Sequence, residues 1–327
     1  MKTLGIGNGR RIAWIFCAGL LALAISIPHP KANRPFTVGV GIWPGAESLI
    51  LARAKGAFSS EEVQIVEMKW PSAAMRALAN GAVDAAVLSL DEALRMRDAG
   101  HALRVVLVFD ESISGDAVIG KEAIQATSSL KGARVGVDLR TSGMFLLAAA
   151  LETGGLGVAE VRIVPLSQSE MGAALEEDQV DVVVASYPEL VRLTRSGYRL
   201  LFEAKDAGIP LLRVLVVSES SLENYRAEIE KVVSAHFELK DEFEKRGSVT
   251  QLESILRREG LEEGQFLDCL AGIASKSRGD NISLLENAGR ELKRISAQVE
   301  ARLRAVEPLR AGLSEGLLTD SSFVEKP

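Results

Sequence analysis

Cysteine is almost missing from this chain. Only two of its 327 residues are cysteine, and Cys17 sits inside an apolar N-terminal run, which leaves Cys269 without an intrachain disulfide partner. Histidine is as scarce: His29, His101 and His236 are scattered, and neither a C-x-x-C pair nor an H-E-x-x-H occurs, so a metal site has no support. G-x-x-x-x-G-K-[ST] is absent, which excludes a P-loop ATPase, and so is the G-x-S-x-G of a nucleophile elbow. A nucleophile needs a base and an orienting group beside it, and no histidine falls on a loop where one would be wanted. No catalytic residues and no cofactor are therefore expected. With a formal net charge of -6 the chain also lacks the basic stripe that phosphate backbones require, so nucleic acid is not an expected partner.

What is present begins with a segment unlike the rest. Lys2, Arg10 and Arg11 precede an apolar run from Ile12 to Ile27, followed by Pro28-His29-Pro30. That layout is the charged and apolar sequence of a secretory signal, with cleavage after Ser26 or after Ala32. The alternative is an uncleaved membrane anchor, although the run is shorter than the roughly 20 residues that span a bilayer. Trp14-Ile15-Phe16 ahead of Cys17 does not fit a lipoprotein box, and the residues expected after a twin-arginine pair do not follow Arg10-Arg11. Export to the periplasm is the expectation, with 1–32 as the signal. Its removal leaves 34 basic and 44 acidic residues, a net charge of -10.

Beyond the signal the chain repeats itself. VDAAVLSLDEAL (83–94) is echoed by VDVVVASYPEL (180–190), and a shift of 97 lays Asp84 on Asp181, Ser89 on Ser186 and Glu92 on Glu189. The same shift puts Val38-Gly39-Val40 on Val135-Gly136-Val137, while Ile65-Val66 meets Ile163-Val164 with one residue inserted. A period this long, far above the roughly 20–50 residues of solenoid repeats, makes each copy a lobe-sized unit. In the first copy, strands over 36–42, 63–68 and 83–88 alternate with helices over 45–55 and 72–80. In the second, strands over 134–138, 161–165 and 181–185 alternate with helices over 142–152 and 169–177. That alternation predicts parallel βαβ units. Two strand-like segments with polar kinks, 105–120 and 200–219, read as crossings that hinge the lobes. Helices between 221 and 310 are expected to wrap the first lobe. The fold class is α/β with two lobes, divided as 33–112 plus 213–327 and 113–212.

In open parallel sheets ligands bind beyond the carboxyl ends of the strands. The loops there are GIWPGA, KWPSA, SLDE, DLRTSG, LSQSE and SYPE, and two facing lobes would close them on a small molecule. Arg140, Thr141 and Ser142 open a helix whose N-terminus favours an anion, although plain capping explains the hydroxyls equally well. Trp43, Pro44 and Gly45 occupy the matching loop of the first copy, Pro44 suiting a first helical turn and Gly45 a close backbone approach. Trp43 is the expected stacking wall, with Trp70 as its competitor. Ser89 and Ser186 end matched strands, and Glu92 and Glu189 complement helix dipoles. Asp91 and Tyr187, where the copies diverge, are expected to set specificity.

These motifs taken together carry a resemblance. VGVGIWPGAESLILARAKGAF, ALANGAVDAAVLSLDEAL, VVLVFDESISGDAVI, LKGARVGVDLRTSG, VDVVVASYPEL and LLTDSSFVE, in that order over roughly 36–325, resemble the periplasmic substrate-binding proteins of nitrate/sulfonate/taurine-type ABC transporters. The resemblance implies a type II periplasmic-binding-protein fold that delivers a small solute to a membrane permease; family members take sulfonates, nitrate, bicarbonate or a pyrimidine precursor of thiamine, and Arg140 with the helix N-termini makes an anionic solute the expectation here. A monomer with no catalytic step is expected. Family members similar to this chain read D-x-S-x-G-A-D where Asp110 to Asp116 stand, which marks Ser112 and Asp116 as cleft or hinge residues. Here Ser114 and Gly115 replace the Gly-Ala pair. Two alternatives remain open at this stage: a sensory module that signals to a membrane partner, and an enzyme on the same fold, such as a pyrimidine synthase.

Overall fold

The computed structural model describes residues 34–244, 249–310 and 312–325; the expected signal over 1–32 lies outside the described residues. The first copy folds as β1 (Phe36–Val40), α1 (Glu47–Ala54), β2 (Val63–Glu67), α2 (Pro71–Ala79), β3 (Ala85–Ser89) and α3 (Leu90–Asp98). The chain then passes through β4 (Leu103–Ser112) into β5 (Asp116–Gly120). The second copy is β6 (Arg134–Val137), α4 (Gly143–Thr153), β7 (Arg162–Pro165), α5 (Met171–Glu176), β8 (Val182–Ser186) and α6 (Glu189–Arg195). Strands β9 (Arg199–Glu203) and β10 (Leu211–Ser218) make the second crossing. After them come α7 (Glu219–Leu222), α8 (Arg226–Glu244), α9 (Val249–Glu259), α10 (Glu263–Ala271), β11 (Ile273–Ser275), α11 (Arg278–Leu303) and β12 (Leu318–Thr319).

The strands form two sheets of the same design. One runs β2-β1-β3-β10-β4-β11, with β12 also on β4, and the other β7-β6-β8-β5-β9. In each, three parallel strands from one copy are followed by an antiparallel crossing strand, β10 beside β3 and β5 beside β8. Strands such as FTVGV are buried along their whole length, as parallel strands covered on both faces must be.

The offset of 97 is visible in the bonding. Val38 faces Ala85 in the first sheet and Val135 faces Val182 in the second. Asp84 accepts the Thr37 N–H at 3.0 Å and Asp181 accepts the Arg134 N–H at 2.8 Å. Each V-D aspartate thus fastens the start of its own strand to the start of the strand beside it. Burial would raise the Asp84 pKa, but hydrogen bonds from Arg34, Ser221 and Thr37 outweigh that and hold it below the ordinary carboxylate range.

The tail does more than cover one lobe. Helix α11 is capped by Ser277, whose Oγ accepts the Asp280 N–H at 3.1 Å. Near that end Asn281 splices into β4 through the Val108 N–H and C=O at 2.7 and 2.9 Å. At its far end Arg302 donates to the Ala207 carbonyl at 2.6 Å and pairs with Glu152 of α4 at 3.1 Å. One helix therefore ties both sheets' layers, whereas the sequence pattern suggested a wrap around the first lobe.

Candidate functional site

All six loops named from the sequence line one pocket. Ile42 and Trp43 come from the loop after β1, Trp70 from that after β2, and Glu92 from the first turn of α3. Thr141, Ser142, Gln168, Ser186, Tyr187 and Glu189 face them from the loops after β6, β7 and β8. The walls are close: the space left for a water centre is about 20 Å³, on the order of one water molecule.

Arg213 is the centre of this arrangement. It is paired in register with Ser89 of β3 and Asp110 of β4, and strand alternation puts the three side chains on one face. Only 4% exposed, it donates from Nη2 to both carboxylate oxygens of Asp116 at 3.0 Å. The pair joins β10 of one sheet to β5 of the other. Asp116 also accepts Ser142 Oγ at 3.3 Å and a short hydrogen bond from Ser186 Oγ.

Aromatic rings pack around that pair. The Arg213 guanidinium lies 4.0 Å from the centre of the Trp43 ring, a cation–π contact. Trp43 Nε1 donates to Asp110 at 3.0 and 3.2 Å, and its ring stacks on Tyr187 with centroids 6.3 Å apart at 29°. Gly115 makes this possible, because a Cβ there would come within 2.8 Å of Trp43 Cη2 and 3.0 Å of Tyr187 Cδ2. Ser114 Oγ lies 3.2 Å from the Tyr187 hydroxyl. The Ser114-Gly115 departure from the family pattern is thus where the two rings meet. Gly45 is equally constrained, since a Cβ would overlap Asp110 Oδ2.

Burial dominates the electrostatics. It pushes Glu92 up to about 7, aided by Asp91 and opposed by Arg213. Asp110 is likewise raised by burial to about 7, against the pull of Arg213 and the Trp43 hydrogen bond. Three buried atoms beside the pocket, Arg213 Nη1, Ser89 Oγ and Ser112 Oγ, have no hydrogen-bond partner among the described residues.

The named residues divide into two groups. Trp43, Thr141, Ser142, Tyr187 and Glu189 line the pocket, as does Trp70. Ser89 borders a smaller space shared with Trp43 and Arg213. Pro44 and Gly45 shape the Trp43 turn, and Ser112 and Asp116 flank the β4–β5 crossing. Two placements differ from expectation. Arg140 has a 59% exposed side chain beside Asp138, and the outer depression it borders is separate from the pocket. Asp91 is fully buried and bonded to Arg95 one helical turn on, which in turn holds Glu307 at 2.9 Å. Arg213, Asp110 and Gln168 were missed. A signal for the first two exists in the sequence, a lone charge inside the apolar runs LLRVLVV and VVLVFD, where burial demands a partner.

Two α/β sheets of one strand order, joined by two crossings and facing across a loop-lined cleft, define a type II periplasmic-binding-protein fold. A family model described as NMT1/THI5 like matches residues 43–237, and the chain belongs to that family. Among solved structures, the alkanesulfonate-binding protein SsuA from Xanthomonas axonopodis pv. citri, bound to MOPS, superposes with a TM-score of 0.72. It is 20% identical, with 88% of this chain and 100% of that one covered. The periplasmic nitrate-binding protein NrtA from Synechocystis PCC 6803 gives a TM-score of 0.66 at 10% identity, covering 90% and 88%. Over 73 residues the chain is 33% identical to curated proteins of Brucella abortus (strain 2308) and Brucella suis biovar 1 (strain 1330) assigned as binding proteins. That stretch spans 22% of this chain and 23% of each of them. Among the described residues no helix is long and apolar enough to cross a membrane.

Proposed function

We propose that this chain is the extracytoplasmic solute-binding component of an ABC importer. Lobes 33–112 plus 213–327 and 113–212 close on one small molecule and present it to a membrane permease. The protein acts as a monomer, without cofactor or catalytic step. The observation that carries this reading is the convergence of loops from both sheets on one pocket, bridged by Arg213 and Asp116. The neighbours named for alkanesulfonate and nitrate binding support it. The anionic solute expected from the sequence rested on Arg140 and the helix N-termini, and of these Arg140 borders a different depression. Small-angle scattering with and without a stabilising solute tests the reading. Solute that raises the melting temperature and alters the radius of gyration supports it; a protein indifferent to every solute class contradicts it.

A further inference from the structure

Resting on that receptor reading, we propose that the pocket takes a small organic ammonium bearing a hydroxyl or carbonyl oxygen. Trp43, Trp70 and Tyr187 form its aromatic walls, and Glu92 is its counter-charge, Glu189 being held by Arg192 at 2.9 Å.

Charge is the first argument. The buried carboxylates at or beside the pocket are Asp91, Glu92, Asp110 and Asp116, against the buried or nearly buried cations Arg95 and Arg213. Both cations are already engaged, Arg95 by Asp91 and Glu307 and Arg213 by Asp116. Once Glu92 and Asp110, both held up to about 7 by burial, have ionised, an anion would enter a field of uncompensated negative charge. An ammonium would relieve it.

The hydroxyl donors that the second lobe's loops could offer an anion are spent. Ser142 and Ser186 donate to Asp116, and Thr141 Oγ1 donates to the Asp138 carbonyl at 3.2 Å. Arg140 stands outside the pocket, so the helix N-terminus of the second lobe faces a carboxylate and no free side-chain cation. The aromatic walls point the same way, because the negative face of an indole or phenol attracts a cation, and Trp43 already carries one such contact with Arg213.

The unpartnered atoms describe the other end of the ligand. Arg213 Nη1 is a buried donor and Ser89 Oγ a buried hydroxyl, and both residues border a small space beside Trp43. A neutral oxygen satisfies both. A carboxylate in that place would lie against Asp110 and Asp116.

Calorimetry and thermal shift with choline and ethanolamine, against methanesulfonate and nitrate at equal concentration, test the assignment. The ammonium probes are expected to bind and to raise the melting temperature. Their affinity rises between pH 6 and pH 8, because Glu92, faced by Asp91, Arg95 and Arg213, must ionise to act as counter-charge. Glu92→Gln weakens them at least about tenfold, while its unliganded melting temperature shows that it folds. Binding by methanesulfonate or nitrate alone, or ammonium affinity untouched by Glu92→Gln, overturns the proposal and leaves the receptor reading standing. If none of the four binds, the charge of the solute that copurifies decides: a cation supports the proposal and an anion overturns it. Absence of any solute takes down both readings.

Discussion

Arg213 and Asp116 bind each other across the cleft, two 3.0 Å hydrogen bonds joining a strand of one sheet to a strand of the other. Both side chains are nearly inaccessible to solvent. Breaking a buried pair from one side leaves an uncompensated charge, which typically costs about 3–5 kcal/mol. Asp116→Ala should therefore lower stability by about that amount in urea titration. It should also free Ser142 and Ser186 and widen the cleft, read as a larger radius of gyration. A variant as stable and compact as the wild type would mean that the pair does not hold the lobes.

Gly115 is the point where Trp43 and Tyr187 meet. Gly115→Ala introduces a Cβ 2.8 Å from one ring and 3.0 Å from the other, an overpacking that costs about 1–3 kcal/mol. Near-ultraviolet circular dichroism should change, since the stacked pair is displaced. An unchanged aromatic spectrum would show that the rings have room to spare.

Asp110 gives stability a pH dependence of known sign. Burial pushes its pKa up to about 7 in the folded chain, against about 4 when unfolded, so the folded state binds the proton more tightly between those values. Stability accordingly falls as pH climbs from about 4 through 7. Glu92 and Glu259, each held up to about 7 by burial, add to that slope. His236, held down to about 3 by burial, opposes it below about 6.5, where the unfolded state gains a proton. Asp110→Asn keeps an acceptor for Trp43 and should flatten the curve of melting temperature against pH; identical slopes for both proteins would refute the assignment.

The paired aspartates of the repeat are expected to differ in weight. Asp84 is buried and bonded to Arg34, Thr37 and Ser221, whereas Asp181 has a 28% exposed side chain and Arg134 as partner. Asp84→Ala leaves buried donors unpaired and should cost about 1–3 kcal/mol. Asp181→Ala should cost less, because water replaces part of what is lost. Equal losses by denaturant titration would contradict the burial argument.

Much of this site was legible before the fold was known, and the reasons are specific. The repeat fixed which strands match, so the loops beyond their carboxyl ends could be named, and those loops line the pocket. Strand order across a sheet is not written locally, however. Nothing near Arg213 in sequence says that β10 returns to lie between β3 and β4, which is what sets it beside Ser89 and Asp110. Side-chain direction is equally hidden. Arg140 sits at the named helix start, yet its guanidinium turns to Asp138 and solvent. For Asp91 the clue is in the sequence: Arg95 follows four residues later, the spacing of an intrahelical ion pair.

The central claim is that two lobes hold one small solute between them. Native mass spectrometry of the protein purified from its own source measures this directly. The account predicts a single retained small molecule in the wild type, lost when Trp43 is changed to Ala while the fold persists. A spectrum showing only the bare chain, unaltered by any solute offered, would contradict it.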